Sequence, residues 1–270
     1  LSLSESCFII APEFFNTLHE LTKMARDHKK RILSVCPEGI LLGSSKIKTQ
    51  QFFRESGALT PKTWLIPIKQ NKLDKHFVLS KFDELNHPIV IKPDDGVSAE
   101  NITYLKSKRE IEDFLHHQGE KMDLSRRYIL QEFVEGNNMS VSLIRGKGDS
   151  RGERVLSVNG QDLQIKEPNR NSEYKGGWTP VADYLNITNK LRAILEKMDL
   201  SLFDSYFGID FIQKDEEIWL IEINPRLTTS YIGIRKVSDQ NPLNDLINKD
   251  ENFLSPPSID KHSIFSRMEL

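Results

Sequence analysis

Two hydrophobic periods alternate along the chain, one typical of short strands and one typical of amphipathic helices. Several predicted strands follow one another directly, without a helix between them. This order favours an α+β fold over a doubly wound parallel sheet. The predicted strands cover residues 7–10, 64–66, 88–92, 102–105, 128–134, 139–145, 155–158, 161–166, 206–213 and 218–224; the predicted helices cover 46–55, 108–117 and 187–198, with a short last helix near 241.

The N-terminal region contains too few elements to form a sheet of its own. Apolar positions at helical spacing within residues 14–24 predict one helix, which follows the strand at residues 7–10. One strand and one helix cannot bury both of their apolar faces, so we expect residues 1–45 to be the C-terminal part of a small α/β domain. The rest of the chain is divided into a small lobe, residues 46–134, and a C-terminal lobe, residues 135–270.

A β-hairpin within residues 208–226 carries the most informative polar side chains. If Lys214 and Ile218 flank a three-residue loop, Asp210 lies directly opposite Glu222, with the side chains roughly 5 Å apart. Asn224 is two residues farther along and therefore shares their face. The apolar residues are expected on both faces, with Ile209, Phe211, Trp219, Ile221 and Ile223 on one face and Ile212, Ile218 and Leu220 on the other.

Because both faces are apolar, the hairpin is expected to be buried together with its acids. Two buried carboxylates that face each other repel and lose hydration, and a hard cation offsets this cost. Asp210, Glu222 and Asn224 offer only oxygen ligands and leave an octahedral shell incomplete, which suits Mg²⁺ because water and substrate phosphates usually complete its shell. The alternative is a solvated hairpin end, where the acids keep a strand edge soluble.

Composition limits the classes of partner. Thirty-seven Lys and Arg nearly balance thirty-nine Asp and Glu, so the net charge of −2 gives no overall field for nucleic acid or for an anionic membrane. No apolar stretch approaches the roughly 20 residues of a membrane-spanning helix. Two distant cysteines are too few for a disulfide framework or a zinc cage, which favours a reducing, cytoplasmic setting.

The hairpin residues resemble the signature of the ATP-grasp superfamily. In that family the last core strand carries a Glu-x-Asn-Pro-Arg pattern, matched by residues 222–226, and the preceding strand carries an acid, matched by Asp210. The resemblance implies that Asp210, Glu222 and Asn224 bind Mg²⁺, with Mn²⁺ as an alternative ion. It also implies that Arg226 is a catalytic residue facing the transferred phosphoryl group of ATP, although a surface ion pair would explain Arg226 alone.

The predicted small lobe supplies further matches. Lys92, at the end of an apolar strand and just before Pro93, matches the family lysine that contacts the ATP phosphates and serves catalysis. Taken alone, Lys92 is better explained as a strand-end lysine that extends its stem to water. The following residues 94–101 resemble the loop that covers the phosphates, which implicates Asp95 and Gly96 in nucleotide binding.

Two other segments resemble the nucleotide site of the family. Residues 131–136 match the linker between lobes that reads the adenine edge, and an ordinary strand with a glycine bulge is the alternative. Residues 45–49 resemble an Asp-Lys-x-x-Thr opening in which serine replaces the acid; Lys46 is the nucleotide-facing residue, with Lys48 as the alternative. The implied adenine contacts are Gln131, Glu132, Phe133 and Val134.

Residues 9–13, 176–180 and 227–230 resemble one branch of the superfamily, the branch that contains the tyramine–glutamate ligases of methanofuran biosynthesis. The resemblance implies an ATP- and Mg²⁺-dependent carboxylate–amine ligase that forms an amide through an acyl phosphate. Its partners would be a small carboxylate and an amine, with glutamate as either of the two, and a homodimer is compatible with it. Carboxylation, kinase-like transfer and a non-catalytic nucleotide-binding subunit remain alternatives. Residues expected near the acceptor substrate are Lys175, Trp178, Tyr231 and Arg235.

Overall fold

The strands of the protein form four sheets in the part of the chain that the structure, a computed structural model, describes. That part comprises residues 4–95, 101–117, 122–146, 152–164, 172–247 and 261–266. Two of the sheets have two strands each, one has four and one has six. Among the described helices, none combines the length and the apolar composition that a bilayer crossing requires.

The N-terminal region is a small α/β unit whose two strands pair in parallel. Its first helix begins three residues later than the periodicity predicts, because Phe15 and Asn16 adopt left-handed backbone angles and place a short 3-10 turn before it. A second helix, which the sequence analysis missed, begins at a proline in its first turn. The elements are β1 (Ser6–Cys7), α1 (Thr17–Asp27), β2 (Arg31–Ile32) and α2 (Pro37–Gly43).

The four-stranded antiparallel sheet forms the small lobe, with strand order β3-β8-β6-β7. Helices α4 and α5 contact each other, and their apolar side chains share one core with the sheet. The predicted helix 46–55 is confirmed, and the Ser45 hydroxyl accepts a hydrogen bond from the Lys48 amide as its N-cap. The elements are α3 (Lys46–Glu55), β3 (Thr63–Leu65), β4 (Ile68–Lys69), β5 (Lys72–Leu73), α4 (Lys75–Leu85), β6 (Ile89–Pro93), β7 (Thr103–Leu105), α5 (Lys108–His117) and β8 (Tyr128–Glu132).

The six-stranded sheet forms the C-terminal lobe, with strand order β13-β12-β9-β10-β11-β14. The strands predicted at 155–158 and 161–166 form one long strand as far as residue 164, and residues 165 and 166 lie outside the described residues. Of the segment 176–180, which resembles the ligase branch, residues 176–179 belong to strand β11. The elements are β9 (Asn137–Ile144), β10 (Arg154–Gln164), β11 (Glu173–Thr179), α6 (Tyr184–Leu195), β12 (Tyr206–Lys214), β13 (Glu217–Asn224), α7 (Ser230–Val237), α8 (Asn244–Ile247) and β14 (Ser263–Ser266).

The hairpin of β12 and β13 has the expected acid pair but not the expected loop. Asp210 lies opposite Glu222, as predicted, whereas Lys214 pairs with Glu217 around a two-residue turn. The ladder shifts by one residue between these points, so that Ile221 is an extra residue on β13, as in a β-bulge. The shorter turn and the bulge shift the strand pairing by one residue in opposite directions. Counting outward from a three-residue loop therefore still gives the correct acid pair.

The bulge also corrects the expected faces of the hairpin. A shift of one residue moves side chains to the opposite face, so Leu220 pairs with Phe211 and joins the main core together with Ile218. Trp219 pairs instead with Ile212, away from that core. Only the turn-side half of β13 is affected, so the acids keep their predicted face.

The two faces of the six-stranded sheet differ in chemistry. One face packs a continuous apolar core that includes α6 and the buried side chains of α2 and α3. On the other face a polar row crosses three strands, because Asp210 pairs with Ser140 and Ser140 pairs with Asn159. Ser140 and Asn159 are buried, and the Asn159 amide donates to the Ser140 hydroxyl at 3.2 Å. The sheet thus stabilises the lobe with one face and presents polar groups with the other.

The corrected register predicts the stability of a hairpin variant. Leu220 is fully buried, so Leu220→Ala should leave a cavity and lower the free energy of unfolding by about 2–5 kcal/mol. Ile10→Ala is the control, because Ile10 is 66% exposed and its truncation should change this free energy by less than about 0.5 kcal/mol. Urea unfolding followed by circular dichroism measures both; equal effects would contradict the register.

Candidate active site

A cleft lies between the four-stranded and six-stranded sheets, with a volume of about 1240 Å³ including its open mouth. The small lobe contributes side chains from β6 and β8, the large lobe contributes side chains from β12 and β13, and the N-terminus of α3 reaches the same space. One end of the cleft is lined mainly by apolar side chains and the other by acids and cations. Those charged residues are Lys46, Lys92, Asp210, Glu222 and Arg226.

The acidic end is built by the hairpin. Asp210 and Glu222 face each other across the two strands, and Asn224 follows on the same strand as Glu222. The Gln161 amide donates to Asp210 Oδ1 at 3.0 Å, and Lys46 Nζ lies 3.1 Å from Glu222 Oε2. The Glu222 side chain is 19% exposed, toward the cleft. The structure therefore brings all three predicted metal ligands together at one end of the cleft.

The two acids differ in their readiness to ionise. Burial, and then the charge of Glu222, raises the pKa of Asp210 to about 7. Burial also acts to raise the pKa of Glu222, but the charges of Lys46 and Lys92 outweigh it and lower that pKa. A divalent cation would favour the ionised form of both acids, because it adds positive charge to that of Arg226, which alone does not offset the burial of Asp210.

The donor set fits Mg²⁺ or Mn²⁺. Asp210, Glu222 and Asn224 present oxygen atoms, the ligands that hard divalent cations prefer. Within the described ranges, no group of three or more His, Cys, Asp and Glu side chains is placed to bind a metal. Three protein ligands are too few for an octahedral shell, and phosphate oxygens and water complete such shells in nucleotide sites.

Two cations flank the acids. Lys92, at the end of β6, is only 6% exposed, and this burial lowers its pKa to about 8. Arg226 extends from the residue after Pro225, and its Nε donates to Glu13 Oε2 at 2.8 Å. Burial opposes its positive charge, but Glu13 outweighs that effect and the pKa of Arg226 is raised. Lys92 and Arg226 thus lie next to the acids, where their positive charges could pair with phosphate groups.

Lys46 is held by a residue that the sequence analysis did not single out. Asp94 is 1% exposed, and its Oδ1 accepts hydrogen bonds from the Ile47 amide at 2.9 Å and from the Ser45 hydroxyl at 3.1 Å. The Lys46 amide donates to the Asp94 carbonyl at 3.1 Å. The family pattern has an acid where this chain has Ser45. Here the Asp94 carboxylate lies beside Ser45 and supplies the missing negative charge. This contact spans more than forty residues and has no local sequence signal.

The predicted adenine segment lines the opposite end of the cleft. Gln131, Glu132, Phe133 and Val134 all contribute to its wall. Two of their side chains already have partners: the Gln131 amide donates to Thr63 Oγ1 at 2.9 Å, and Glu132 Oε2 accepts from the Lys62 amide at 3.1 Å. The Phe133 ring packs edge-on against Tyr104. These contacts fix the backbone of the strand end, which is the part that could read an adenine edge.

The predicted phosphate loop is described only at its base. Asp95 Oδ1 accepts two hydrogen bonds from the Arg126 guanidinium, at 2.9 and 2.8 Å, so the Asp95 carboxylate contacts the small lobe and not the cleft. Gly96, the other residue predicted in this loop, lies outside the described residues, as do residues 97–100.

The residues expected at the acceptor substrate lie elsewhere. Lys175 and Trp178 line a separate, shallower groove, formed by the ends of β11 and β14. The Tyr231 hydroxyl bonds to Asn241, and Arg235 donates to the Ser238 carbonyl. The described wall of the cleft includes none of these four. It contains Thr228, Thr229 and Ser230, from the segment that resembles the ligase branch, and three polar residues that the sequence analysis missed, namely Ser140, Gln161 and Tyr174.

The charge of Asp210 should destabilise the metal-free protein. Its raised pKa means that the folded state binds a proton more tightly than the unfolded state, so this group stabilises the fold below about pH 4 and loses that contribution as pH rises through about 7. At pH 8, Asp210→Asn removes the buried charge and should raise Tm in metal-free buffer by roughly 2 °C.

Differential scanning calorimetry in the presence of a chelator measures this shift. Asp162→Asn is the matched control, because Asp162 is exposed on β10 and its substitution should leave Tm unchanged. A lower Tm for Asp210→Asn than for the wild type at pH 8 would contradict the site's electrostatics.

Comparison with known proteins agrees with this geometry. The family model described as an ATP-grasp domain matches residues 43–230. Tyramine–L-glutamate ligase of Methanocaldococcus jannaschii is 27% identical over 234 residues, which cover 84% of this chain and 57% of the relative. The same ligase of Methanocaldococcus fervens is 29% identical over 227 residues, with 84% and 60% covered. The chain thus spans less than two thirds of these relatives.

Two solved structures show the same fold. A putative ATP-grasp superfamily protein from Archaeoglobus fulgidus superposes with a TM-score of 0.60 at 23% identity, covering 98% of this chain and 77% of that one. The biotin carboxylase domain dimer of Hydrogenobacter thermophilus 2-oxoglutarate carboxylase, in complex with MgADP, gives 0.72 at 13% identity, covering 97% and 58%. The predicted α+β grasp fold is confirmed, and the family model covers residues of both lobes, ending at residue 230. This chain belongs to the ATP-grasp family, whose enzymes in general use ATP and Mg²⁺.

Proposed function

We propose that this chain is the ATP-binding part of an ATP- and Mg²⁺-dependent carboxylate–amine ligase. One observation carries the proposal: paired carboxylates on a hairpin lie beside two lysines and an arginine, all at one end of a cleft between two lobes. The names of the relatives support the choice of ligase within the family. We place the lobes at residues 46–134 and 135–270, preceded by the α/β unit of residues 1–45.

ATP would lie along the cleft with its adenine at the apolar end. The backbone of residues 132–134 would read the adenine edge, since Gln131 and Glu132 already use their side chains within the small lobe. Lys46 and Lys92 would contact the phosphates, and Arg226 would face the γ-phosphate. Asp95 and Gly96 are assigned to the base of the phosphate loop and not to a direct adenine contact.

Asp210, Glu222 and Asn224 would hold Mg²⁺, or Mn²⁺ in its place. The ion would supply positive charge that offsets the charge of the transferred phosphoryl group and so would favour phosphoryl transfer. The chain's own contribution is to hold three oxygen ligands on rigid strands and to keep Lys92 and Arg226 beside them. Gln161 orients Asp210 through its amide.

The reaction would proceed in two displacements. An oxygen of the substrate carboxylate attacks the γ-phosphorus, the bond to the β-phosphate oxygen breaks, and ADP leaves with the electron pair. The amine nitrogen then attacks the acyl carbon, the bond from that carbon to the phosphate oxygen breaks, inorganic phosphate leaves and the amine loses a proton. Lys92 and Arg226 would offset charge on the transferred group, so positioning and electrostatics supply the acceleration and no protein nucleophile is needed.

The substrates are proposed by chemical class. The two named relatives join tyramine to L-glutamate, which supports an amino-acid carboxylate and a primary amine as the pair to test first. The polar wall beside Arg226, formed by hydroxyls of residues 228–230 and by Tyr174, suits an acceptor with hydrogen-bonding groups. A homodimer is compatible with this proposal.

The ligase activity has a direct test. With Mg²⁺-ATP, L-glutamate and a panel of amines that includes tyramine, the wild type should release ADP and form an amide of matching mass. Glu222→Gln should lose at least ~10²-fold in rate, because it replaces a charged metal ligand with a neutral one. Glu217→Gln is the matched control on the same strand, where the side chain is exposed, and it should retain wild-type activity.

Coupled ADP release and mass spectrometry read out this experiment. Amide formation that is lost in Glu222→Gln and kept in Glu217→Gln supports the proposal. Equal activity of both variants would contradict the metal site, and failure of Mg²⁺-ATP to bind would contradict the nucleotide site.

The pKa of Lys92 predicts how nucleotide affinity depends on pH. Because burial lowers this pKa to about 8, the ammonium loses its proton as pH rises above 8, and the attraction for phosphate is lost with it. The Kd for the complex of Mg²⁺ with the non-hydrolysable analogue AMP-PNP should therefore rise between pH 8 and 9.5. In Lys92→Arg, whose guanidinium stays charged, the Kd should be flat over that range. Titration calorimetry measures both; identical pH profiles would contradict the assignment of Lys92.

A further inference from the structure

The N-terminal unit contributes a buried acid to the catalytic arginine. Glu13 is 5% exposed, and its Oε2 accepts from Arg226 Nε at 2.8 Å across 213 residues of sequence. Glu13 itself does not line the cleft, whereas Arg226 does. Glu13 can therefore act on the site only through Arg226.

The bond geometry determines which part of the guanidinium reaches the cleft. Nε is used by Glu13, and Nη1 donates to the Leu227 carbonyl at 3.1 Å. Nη2 makes no hydrogen bond to any described residue. Two anchored nitrogens fix the plane of the group, so the third nitrogen is available to a ligand in a single direction.

Without Glu13 the same guanidinium would have other anions to approach. Asp210 and Glu222 both act on the charge of Arg226, and both are assigned here as metal ligands. An arginine paired with those acids would compete with the cation and would turn away from the γ-phosphate. Because its Nε is paired with Glu13, Arg226 acts on the two acids through its charge and is hydrogen-bonded to neither.

The backbone after Glu13 shows that this segment is held in place. Phe15 and Asn16 have φ values of 55° and 57°, in the left-handed region that L-residues with bulky side chains rarely adopt. Asp95, at the base of the phosphate loop, accepts from the Phe15 amide at 3.4 Å, and the Arg126 guanidinium lies 5.9 Å from the Phe15 ring centroid. Residues 13–15 thus contact Arg226 of the large lobe and the phosphate-loop base of the small lobe.

We propose that Glu13 is a positioning residue that holds the Arg226 guanidinium toward the γ-phosphate and away from the metal ligands. The inference rests on the proposed function, because it uses the γ-phosphate position assigned there. Its consequence is selective: Glu13 should matter for a bound nucleoside triphosphate and not for a diphosphate, which has no γ-phosphate for Arg226 to contact.

Nucleotide titration of the whole chain tests this selectivity. The Kd values of Mg²⁺–AMP-PNP and Mg²⁺–ADP are measured by calorimetry for the wild type, Glu13→Gln and Glu13→Asp. Glu13→Gln removes the charge, and Glu13→Asp keeps the charge but shortens the reach. Glu38→Gln is the matched control, because it breaks the exposed ion pair with Arg26 in the same N-terminal unit. Circular dichroism checks that each variant is folded.

Both Glu13 variants should weaken Mg²⁺–AMP-PNP by about 10-fold relative to the wild type, the scale of one well-placed charge-assisted contact, and should leave Mg²⁺–ADP within about 2-fold. Glu38→Gln should change neither. Equal weakening of both nucleotides would show a merely structural role, and unchanged or tighter AMP-PNP binding would show that Arg226 needs no positioning; either result overturns the proposal. If Glu13→Gln does not fold, Glu13→Asp decides by the same criteria.

This test separates the inference from the ligase proposal. The titration uses no acceptor substrate and needs no turnover. A chain that binds the nucleotides but forms no amide therefore still gives a ratio of the two Kd values, for Mg²⁺–AMP-PNP and for Mg²⁺–ADP. A selective loss without amide formation would keep the role of Glu13 and reject the ligase. Amide formation without a selective loss would support the ligase and reject the role of Glu13.

Discussion

Two buried carboxylates that face each other across one hairpin are the constraint on which the rest of this structure depends. Asp210 and Glu222 repel, and burial raises the pKa of Asp210 to about 7 while nearby lysines hold that of Glu222 down. A fold retains such a pair only if surrounding groups offset the repulsion. The positive charges of Lys46, Lys92 and Arg226 offset part of the repulsion. A divalent cation bound together with phosphates would offset the rest.

The groups around the acid pair come from distant parts of the chain, and each is held by a second contact. Asp94 fixes the start of the helix that carries Lys46, and Glu13 holds Arg226. These supports are buried acids, each bonded to a cleft-lining element that is distant in the sequence. The N-terminal unit, the small lobe and the large lobe therefore build one site together, and the position of each cation depends on packing between them.

The sequence predicts this site well where the signal is local. The pairing of Asp210 with Glu222 follows from two apolar strands around a charged turn, and the helix from Lys46 follows from its serine cap. The bulge at Ile221 could not be predicted, because a two-residue turn with a bulge and a three-residue turn without one give the same acid pair. Only the buried position of Leu220 distinguishes them.

Contacts between distant segments could not be read from the sequence. Nothing near Glu13 in the chain indicates Arg226 as its partner, and Asp94 is one of two adjacent acids with no local sign of which one caps the helix. The polar wall around Gln161 was missed because the long strand β10 had been divided into two. Lys175 and Trp178 were expected at the acceptor, but both line a separate groove. Lys175 is the extra residue at a bulge in strand β11, which breaks the alternation of side chains there.

The most direct test of the central claim is a crystal structure with Mn²⁺ and AMP-PNP, read by anomalous scattering at the manganese edge. If the hairpin acids form the metal site, an anomalous peak should lie about 2.0–2.2 Å from oxygens of Asp210, Glu222 or Asn224 and from phosphate oxygens of the nucleotide. Arg226 should face the γ-phosphate in the same map. A nucleotide bound in the cleft whose metal ion contacts neither Asp210 nor Glu222 would contradict the claim that the hairpin acids form the metal site.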